Sequence, residues 1–257
     1  MIFMIKRFLI LATGSMILLM ATTACKKDKK DDYGDASVII ATNIIGDNDS
    51  EVAQVKAISP LFDYYDGFYE LVGEYEAVPV PYNNHGFKIN LPITLPDKCF
   101  MVIGNEGFPE GIFVSDKNAK IAYGGCGAYD KYGKMVGGFS LKYEKGENEF
   151  CTAVWIYCDR NLVIQGRLHD EDEYYEYRWE YDSDLNYHLK KGWNIVYMYS
   201  KIHQTEYSYS HSVKGTTEKP SGIDLRWYYI NDSYYDKSSL PKDKTFSIFN
   251  ILKFNNL

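Results

Sequence analysis

The sequence has no Gly-x-Ser-x-Gly elbow, no His-Glu-x-x-His pair, no phosphate-binding glycine loop and no dinucleotide fingerprint. Each of those patterns supplies a local geometry on which a class of enzymes depends, so none of those classes is indicated and no catalytic residue is nominated. Metal-ligand spacing is equally scarce. There is no Cys-x-x-Cys and no His pair at ligand spacing, and the five histidines, His85, His169, His188, His203 and His211, are scattered. No metal or cofactor is therefore expected. Basic residues are outnumbered, 28 Lys and Arg against 35 Asp and Glu, for a formal net charge of -7. That balance argues against a nucleic-acid partner, which requires a basic face. Long amphipathic helices are missing too, and only one apolar run approaches membrane-spanning length.

That run is N-terminal. Lys6 and Arg7 precede the apolar stretch 8–20, and the small residues Ala21-Thr22-Thr23-Ala24 lead to Cys25. A positive n-region, an apolar h-region and a small-residue cleavage site make a secretory signal. The segment resembles a type II signal peptide, whose lipobox ends in a lipidated cysteine. It departs from that pattern at Thr22, where the family usually carries Leu, Val or Ile. The resemblance implies that residues 1–24 are removed and that Cys25 is acylated. Each buried methylene of an acyl chain contributes about 0.8 kcal/mol, so several chains hold a protein on a membrane without a transmembrane helix. Residues 25–36 then form the lipidated cysteine and a charged tether. Residues 26–35 contain four Lys, four Asp and no aliphatic side chain, and cannot bury themselves. The Lys-then-Asp-Asp order resembles the sorting signals of surface lipoproteins in Bacteroidota-type bacteria. The expected location is the outer membrane, lipid-anchored, on its cell-surface or periplasmic face. Without Lys6 and Arg7 the remaining 26 basic residues face 35 acids, a formal charge of -9.

Past the tether the dominant period is two. Phe87-Lys88-Ile89-Asn90-Leu91, Tyr175-Glu176-Tyr177-Arg178-Trp179-Glu180-Tyr181 and Tyr207-Ser208-Tyr209-Ser210-His211-Ser212-Val213 alternate apolar with polar side chains. Weaker alternation runs through 139–143, 154–158, 162–168, 195–199 and 225–230. Such segments are half-buried antiparallel strands. Turn chemistry separates them at Asn83-Asn84-His85-Gly86, Lys145-Gly146-Glu147-Asn148, Asp182-Ser183-Asp184 and Lys190-Lys191-Gly192. The fold class is all-β: an antiparallel sandwich or partly closed barrel. The Pro and Gly content between Leu91 and Gly111 suggests a boundary. Residues 37–104 then read as a small immunoglobulin-like or prealbumin-like sandwich, and 105–231 as a larger β-meander. A short helix is expected near 96–103, and 232–257 is an extension that fits helix and strand patterns about equally.

Three segments recur in this order in uncharacterised exported lipoproteins of gut Bacteroidales, which the chain resembles: 81–87, of the form Pro-Tyr-x-Asn-x-Gly-Phe; Ser115-Asp116-Lys117-Asn118-Ala119-Lys120; and Leu189-Lys190-Lys191-Gly192-Trp193-Asn194-Ile195-Val196-Tyr197. The resemblance implies a cellular setting and carries no activity with it.

Of the remaining cysteines, Cys99, Cys126, Cys151 and Cys158, the last two share one expected strand and point to opposite faces, so they do not bond each other there. Disulfides in either of the other two pairings of the four cysteines and buried free thiols both fit. Gly124-Gly125-Cys126-Gly127 reads as a glycine-rich connector between strands rather than a nucleophile loop. Asp182-x-Asp184-x-Asn186 and Asp47-x-Asp49-x-Glu51 open like calcium loops but lack the glycine that such loops need. The run 169–173 reads as a solvated hairpin tip.

Aromatics, by contrast, are abundant: 24 Tyr, 13 Phe and 4 Trp. Most should pair across strands and pack into cores, but an exposed subset would make a stacking surface. Trp155, Trp179, Trp193 and Trp227 are its candidate anchors. The function expected is a membrane-anchored, non-catalytic binding module for a glycan or a protein partner. The alternatives are a lipid-anchored hydrolase with dispersed carboxylates, marked by a deep pocket with a close carboxylate pair, and a structural envelope or adhesin-associated subunit, marked by an unpaired sheet edge.

Overall fold

Alternation of apolar and polar side chains is realised as strands almost throughout. The structure, a computed structural model, describes residues 36–46, 51–66, 68–104, 108–174 and 177–231. The strands, in chain order, are β1 (Val38–Ala41), β2 (Gln54–Tyr65), β3 (Phe68–Glu76), β4 (Val80–Pro81), β5 (Phe87–Asn90), β6 (Met101–Val102), β7 (Ile112–Val114), β8 (Lys120–Tyr129), β9 (Met135–Lys145), β10 (Glu149–Cys158), β11 (Leu162–Tyr174), β12 (Tyr177–Leu189), β13 (Gly192–Gln204), β14 (Ser208–Thr216) and β15 (Arg226–Asn231). The described residues contain no α-helix. The helix expected near 96–103 is a single 3-10 turn, Asp97–Cys99, because Cys99, Met101 and Ile103 must all turn inward at a period of two. The signal segment, the lipidation site Cys25, most of the tether and the extension 232–257 lie outside the described residues.

Thirteen strands form one sheet along the path β3-β2-β8-β9-β10-β13-β14-β12-β11-β7, with β15 added on β9, β4 on β2 and β6 on β8. The sheet is dominated by antiparallel pairs and does not close into a barrel. A second, two-stranded sheet pairs β1 with β5. The expected division near residue 104 does not correspond to separate cores. β2 pairs directly with β8 from Gln54↔Tyr129 to Ile58↔Gly125. One hydrophobic core joins Ile39, Val55, Phe87 and Ile89 from the N-terminal part to Cys126, Trp155 and Trp227. Residues 37–104 cannot bury their apolar faces without the strands that follow.

The second core lies on the opposite face, among Ile121, Tyr123, Ile156, Leu162, Ile164, Leu185, Tyr187, Leu189 and Val196. β10 and β13 separate the two cores and are covered on both sides. Ala153 and Trp155 face the first, while Ile156 and Cys158 face the second. This explains why alternation is weak along 154–158: a strand buried on both faces has no polar side to show.

Two turns match their sequence chemistry. Asn84 and His85 both take positive φ (50° and 54°), and Asn83 and Gly86 exchange backbone hydrogen bonds of 3.0 Å, the mirror-image geometry that fits strand twist. Gly192 opens β13 at φ 99°, where only glycine is unstrained. Two expected connectors are instead strand. Gly124-Gly125-Cys126-Gly127 lies inside β8, where a Cβ at Gly124 would stand 2.7 Å from the Trp193 ring, so the glycine there makes room for an indole. Asp182-Ser183-Asp184 lies in the middle of β12, with Ser183 buried and Asp182 exposed. Tyr181, Leu185, Tyr187 and Leu189 share the buried face of that strand, and their alternation overrides the turn preference of Asp and Ser.

All neighbouring strands described here run antiparallel except one pair. β12 and β14 are parallel over nine residue pairs, from Arg178↔Ser208 to Asn186↔Thr216. β12 and β13 leave a tight turn and diverge, and β14 fills the gap, pairing antiparallel with β13 on its other side.

Candidate functional site

The four tryptophans do not form a single surface. Trp155 and Trp227 are buried in the first core with ring centroids 5.6 Å apart and planes at 18°. Trp193 packs on Gly124 and against Tyr157, and its Nε1 donates to the carbonyl of Pro92 at 2.9 Å. It thereby fixes the segment after β5 to the sheet. Trp155 and Trp227 are core residues and not stacking anchors, because they occupy a face that the sheet must bury, while Trp193 is half-buried at the edge of that core.

Trp179 is placed differently. The parallel register sets Trp179 beside Tyr209 and Tyr181 beside His211. The Trp179 and Tyr181 rings lie 6.2 Å apart with planes at 7°. His211 meets Tyr181 edge-on at 5.4 Å and Tyr209 at 6.4 Å. Tyr181 and His211 are buried, whereas Trp179 and Tyr209 are half-buried and reach the surface. The result is an aromatic ledge along one face of β12 and β14, buried at its Tyr181–His211 end and reaching the surface at its Trp179–Tyr209 end. It continues the face of β12 that builds the second core, so its backbone is held by packing as well as by hydrogen bonds on both edges. Across β11 the directly opposed positions are Asp172 for Trp179 and Asp170 for Tyr181, both exposed carboxylates. Opposed residues in an antiparallel pair share a face, so two acceptors border the ledge.

Burial sets the protonation states at its inner end. The Tyr181 phenol is pushed up to about 12 by burial, and the His211 imidazole is pushed down to about 4 by the same cause. At neutral pH both are uncharged, and the ledge offers π faces flanked by carboxylates without a formal cation of its own.

The opposite face of the same strands carries charge. Arg167 meets Asp184 at 3.3 Å, His169 meets Asp182 at 2.8 Å and Arg178 meets Glu171 at 2.9 Å. The run 169–173 is the exposed far part of β11, next to the end of the β11–β12 hairpin, where pairing stops at Tyr174↔Tyr177.

An apolar cavity of about 40 Å³ lies inside the second core, lined by Ile103, Phe108, Ile121, Ile164, Leu185 and Tyr187 among others, none of them a carboxylate. Carboxylates do approach each other on β3, but Glu76 is occupied there. It accepts from Lys56 at 2.6 Å and from the Tyr129 hydroxyl at 2.8 Å, and Lys56 also sits 4.0 Å above the Tyr129 ring. This cluster clamps β2, β3 and β8 together. The thiols are inert for a related reason. Cys99, Cys126, Cys151 and Cys158 are free and buried, and burial pushes the Cys126 thiol up to about 12 and the Cys151 thiol up to about 11. A thiol reagent should accordingly label none of these four in the native protein and all four after unfolding; rapid native labelling at Cys126 would revive a nucleophilic role.

No protein-family model, no curated protein and no solved structure matches the chain. The reading of the site rests on its geometry. Sequence alternation pointed to Trp179, Tyr181, Tyr209 and His211 as members of two strands. It carried no signal that those strands lie side by side, because a parallel pair with an intervening strand leaves no local signature.

Proposed function

We propose that this chain is an envelope-anchored, non-catalytic binding module whose ligand is a glycan stacked on Trp179 and Tyr209. The observation that carries this reading is the ledge itself. Two half-buried aromatic rings stand on adjacent strands beside buried Tyr181 and His211, with Asp170 and Asp172 alongside. Aromatic faces accept the apolar C-H edges of a sugar ring, and carboxylates accept its hydroxyl protons. The packed Tyr181–His211 end holds the ledge in place, and such preorganisation lowers the ordering cost of binding. Anchorage rests on the sequence features around Cys25: a lipid-modified cysteine followed by a charged tether would hold the module at the outer membrane, facing either side.

One observation favours a second reading, a protein partner. Among the described residues the outer edge of β3 pairs with no strand, and Leu71 and Val72 of that strand are exposed, as are Tyr64 and Tyr65 of β2 beside it. An unpaired edge with apolar side chains can accept another chain by strand addition.

Thermal shift against a panel of polysaccharides and mucin glycans tests the first reading. A glycan at 100 times its dissociation constant should stabilise the fold by about 2.7 kcal/mol. Trp179→Ala and Tyr209→Ala should each weaken binding by about tenfold or more, in line with the ~1 kcal/mol scale of aromatic contacts plus lost area, with a far smaller effect from Leu71→Ser. Loss of binding in Leu71→Ser alone would move the site to the β3 edge, and absence of any glycan shift would reject the glycan.

A further inference from the structure

The outward face of β11 and β12 gathers three metal-ligating side chains. His169 and Asp182 are directly opposed across the two strands, and Glu180 lies two residues from Asp182 on the same face. One donor atom from each of His169, Glu180 and Asp182 lies within 4.8 Å of the other two. Nδ1 of His169 is already 2.8 Å from Oδ1 of Asp182. Donors around 2.0–2.2 Å from a shared ion stand roughly 3 to 3.5 Å apart, so a slight opening of this pair and a rotation of Glu180 would complete a three-ligand cradle.

A second arrangement supports the first. The other imidazole nitrogen, Nε2, faces Oε2 of Glu171 at 4.0 Å. Nη2 of Arg178 holds that same carboxylate oxygen at 2.9 Å. Metal-ligating histidines characteristically turn their second N-H toward a carboxylate; Glu171 is the carboxylate on that side, held by Arg178 and within electrostatic reach but short of a hydrogen bond to the ring. Each of the three ligands is carried by a long strand paired on both sides or along its whole length, which supplies the rigidity that a metal site needs.

We propose that His169, Asp182 and Glu180 bind a divalent transition-metal ion, with Glu171 as the residue that orients the imidazole. One imidazole and two carboxylates suit Zn²⁺ or Mn²⁺ better than Ca²⁺, which takes oxygen ligands alone. The ion ties β11 to β12 on the face opposite the aromatic ledge and uses none of the ledge residues, so the site stands whether or not a glycan binds.

Titration calorimetry of the full-length protein with ZnCl₂, and separately with MnCl₂ and CaCl₂, tests this at neutral pH. The expected result is one equivalent of Zn²⁺ or Mn²⁺, with Ca²⁺ at least tenfold weaker. That equivalent should disappear in His169→Ala and in Asp182→Asn, and Glu171→Gln should bind about tenfold more weakly through loss of ring orientation. His188→Ala, which changes an exposed histidine further along the same strand face, should bind as the wild type does. His169 and Asp182 are both more than half exposed, at 54% and 53%, so these variants should keep the wild-type circular dichroism and thermal midpoint without metal. Absence of a one-equivalent transition-metal site in the wild type, or its survival in His169→Ala, overturns the proposal.

Discussion

Trp155→Ala is expected to cost about 3–5 kcal/mol of folding stability, which is a large part of the 5–15 kcal/mol that a domain has. Trp155 is 6% exposed, packs against Trp227 at 5.6 Å and pairs with Gly124 of β8 and Ile195 of β13. Removing the indole empties a space beside β10, which is hydrogen-bonded to β8 on one side and to β13 on the other, so the walls cannot collapse into it. The stacked pair adds about 0.5–1.5 kcal/mol beyond its buried area. Trp155→Phe should be far milder than its loss of volume implies. The Trp155 Nε1-H is buried and has no acceptor among the described residues, and a buried donor left without a partner costs about 1–3 kcal/mol. Phenylalanine removes that cost while it keeps most of the ring. Urea unfolding of both variants checks this, and a Phe variant as unstable as the Ala variant would show that the indole nitrogen is not a burden.

Acidification should destabilise the fold through His211. Its folded-state value is about 4, pushed down by burial between the Tyr181 and Tyr209 rings, against about 6.5 when unfolded. Above the unfolded value both states hold a neutral imidazole and this group costs nothing. As pH falls below about 6.5 the unfolded chain takes up a proton that the folded protein refuses, so stability drops until about pH 4 and then levels off. The span corresponds to about 3 kcal/mol at most. Carboxylates also titrate at the acid end, so the informative quantity is the difference between wild type and His211→Asn across the window, measured as urea midpoints. A variant that loses stability as steeply as the wild type between pH 6.5 and 4 would remove His211 as the cause. His169 has the opposite sign. Its hydrogen bond to Asp182 raises its value, so whatever stability it contributes is present in acid and fades as pH rises through that raised value. It is more than half exposed, and its contribution is correspondingly small.

Much of the architecture could be read from alternation. Phe87 to Asn90 and Ser208 to Val213 were legible as strands because each has a wetter face and a drier one. Asp182-Ser183-Asp184 misled because the preference of these residues for turns is local, while Tyr181, Leu185 and Tyr187 impose a longer-range demand that wins. Gly124 and Gly125 misled in the same way: the first makes room for the Trp193 ring at the point where β8 passes from β10 to β2 and β9. The tryptophans were legible as important but not as surface or core, since a stacking anchor and a packing anchor have the same identity in one dimension. The His169, Glu180 and Asp182 cluster left no trace at all, because its ligands sit on two strands whose register decides whether they meet.

The gap between β12 and β13 has a consequence for how the chain reaches its native state. A ribosome delivers β11, β12 and β13 before β14, and until residue 216 has emerged the two diverging strands each hold an unsatisfied edge. Exposed edges of this kind recruit other chains. The nascent protein is thus most vulnerable to aggregation late in synthesis, when nearly everything but the wedge is present, and a truncation at 207 should be less soluble than its lost length would suggest.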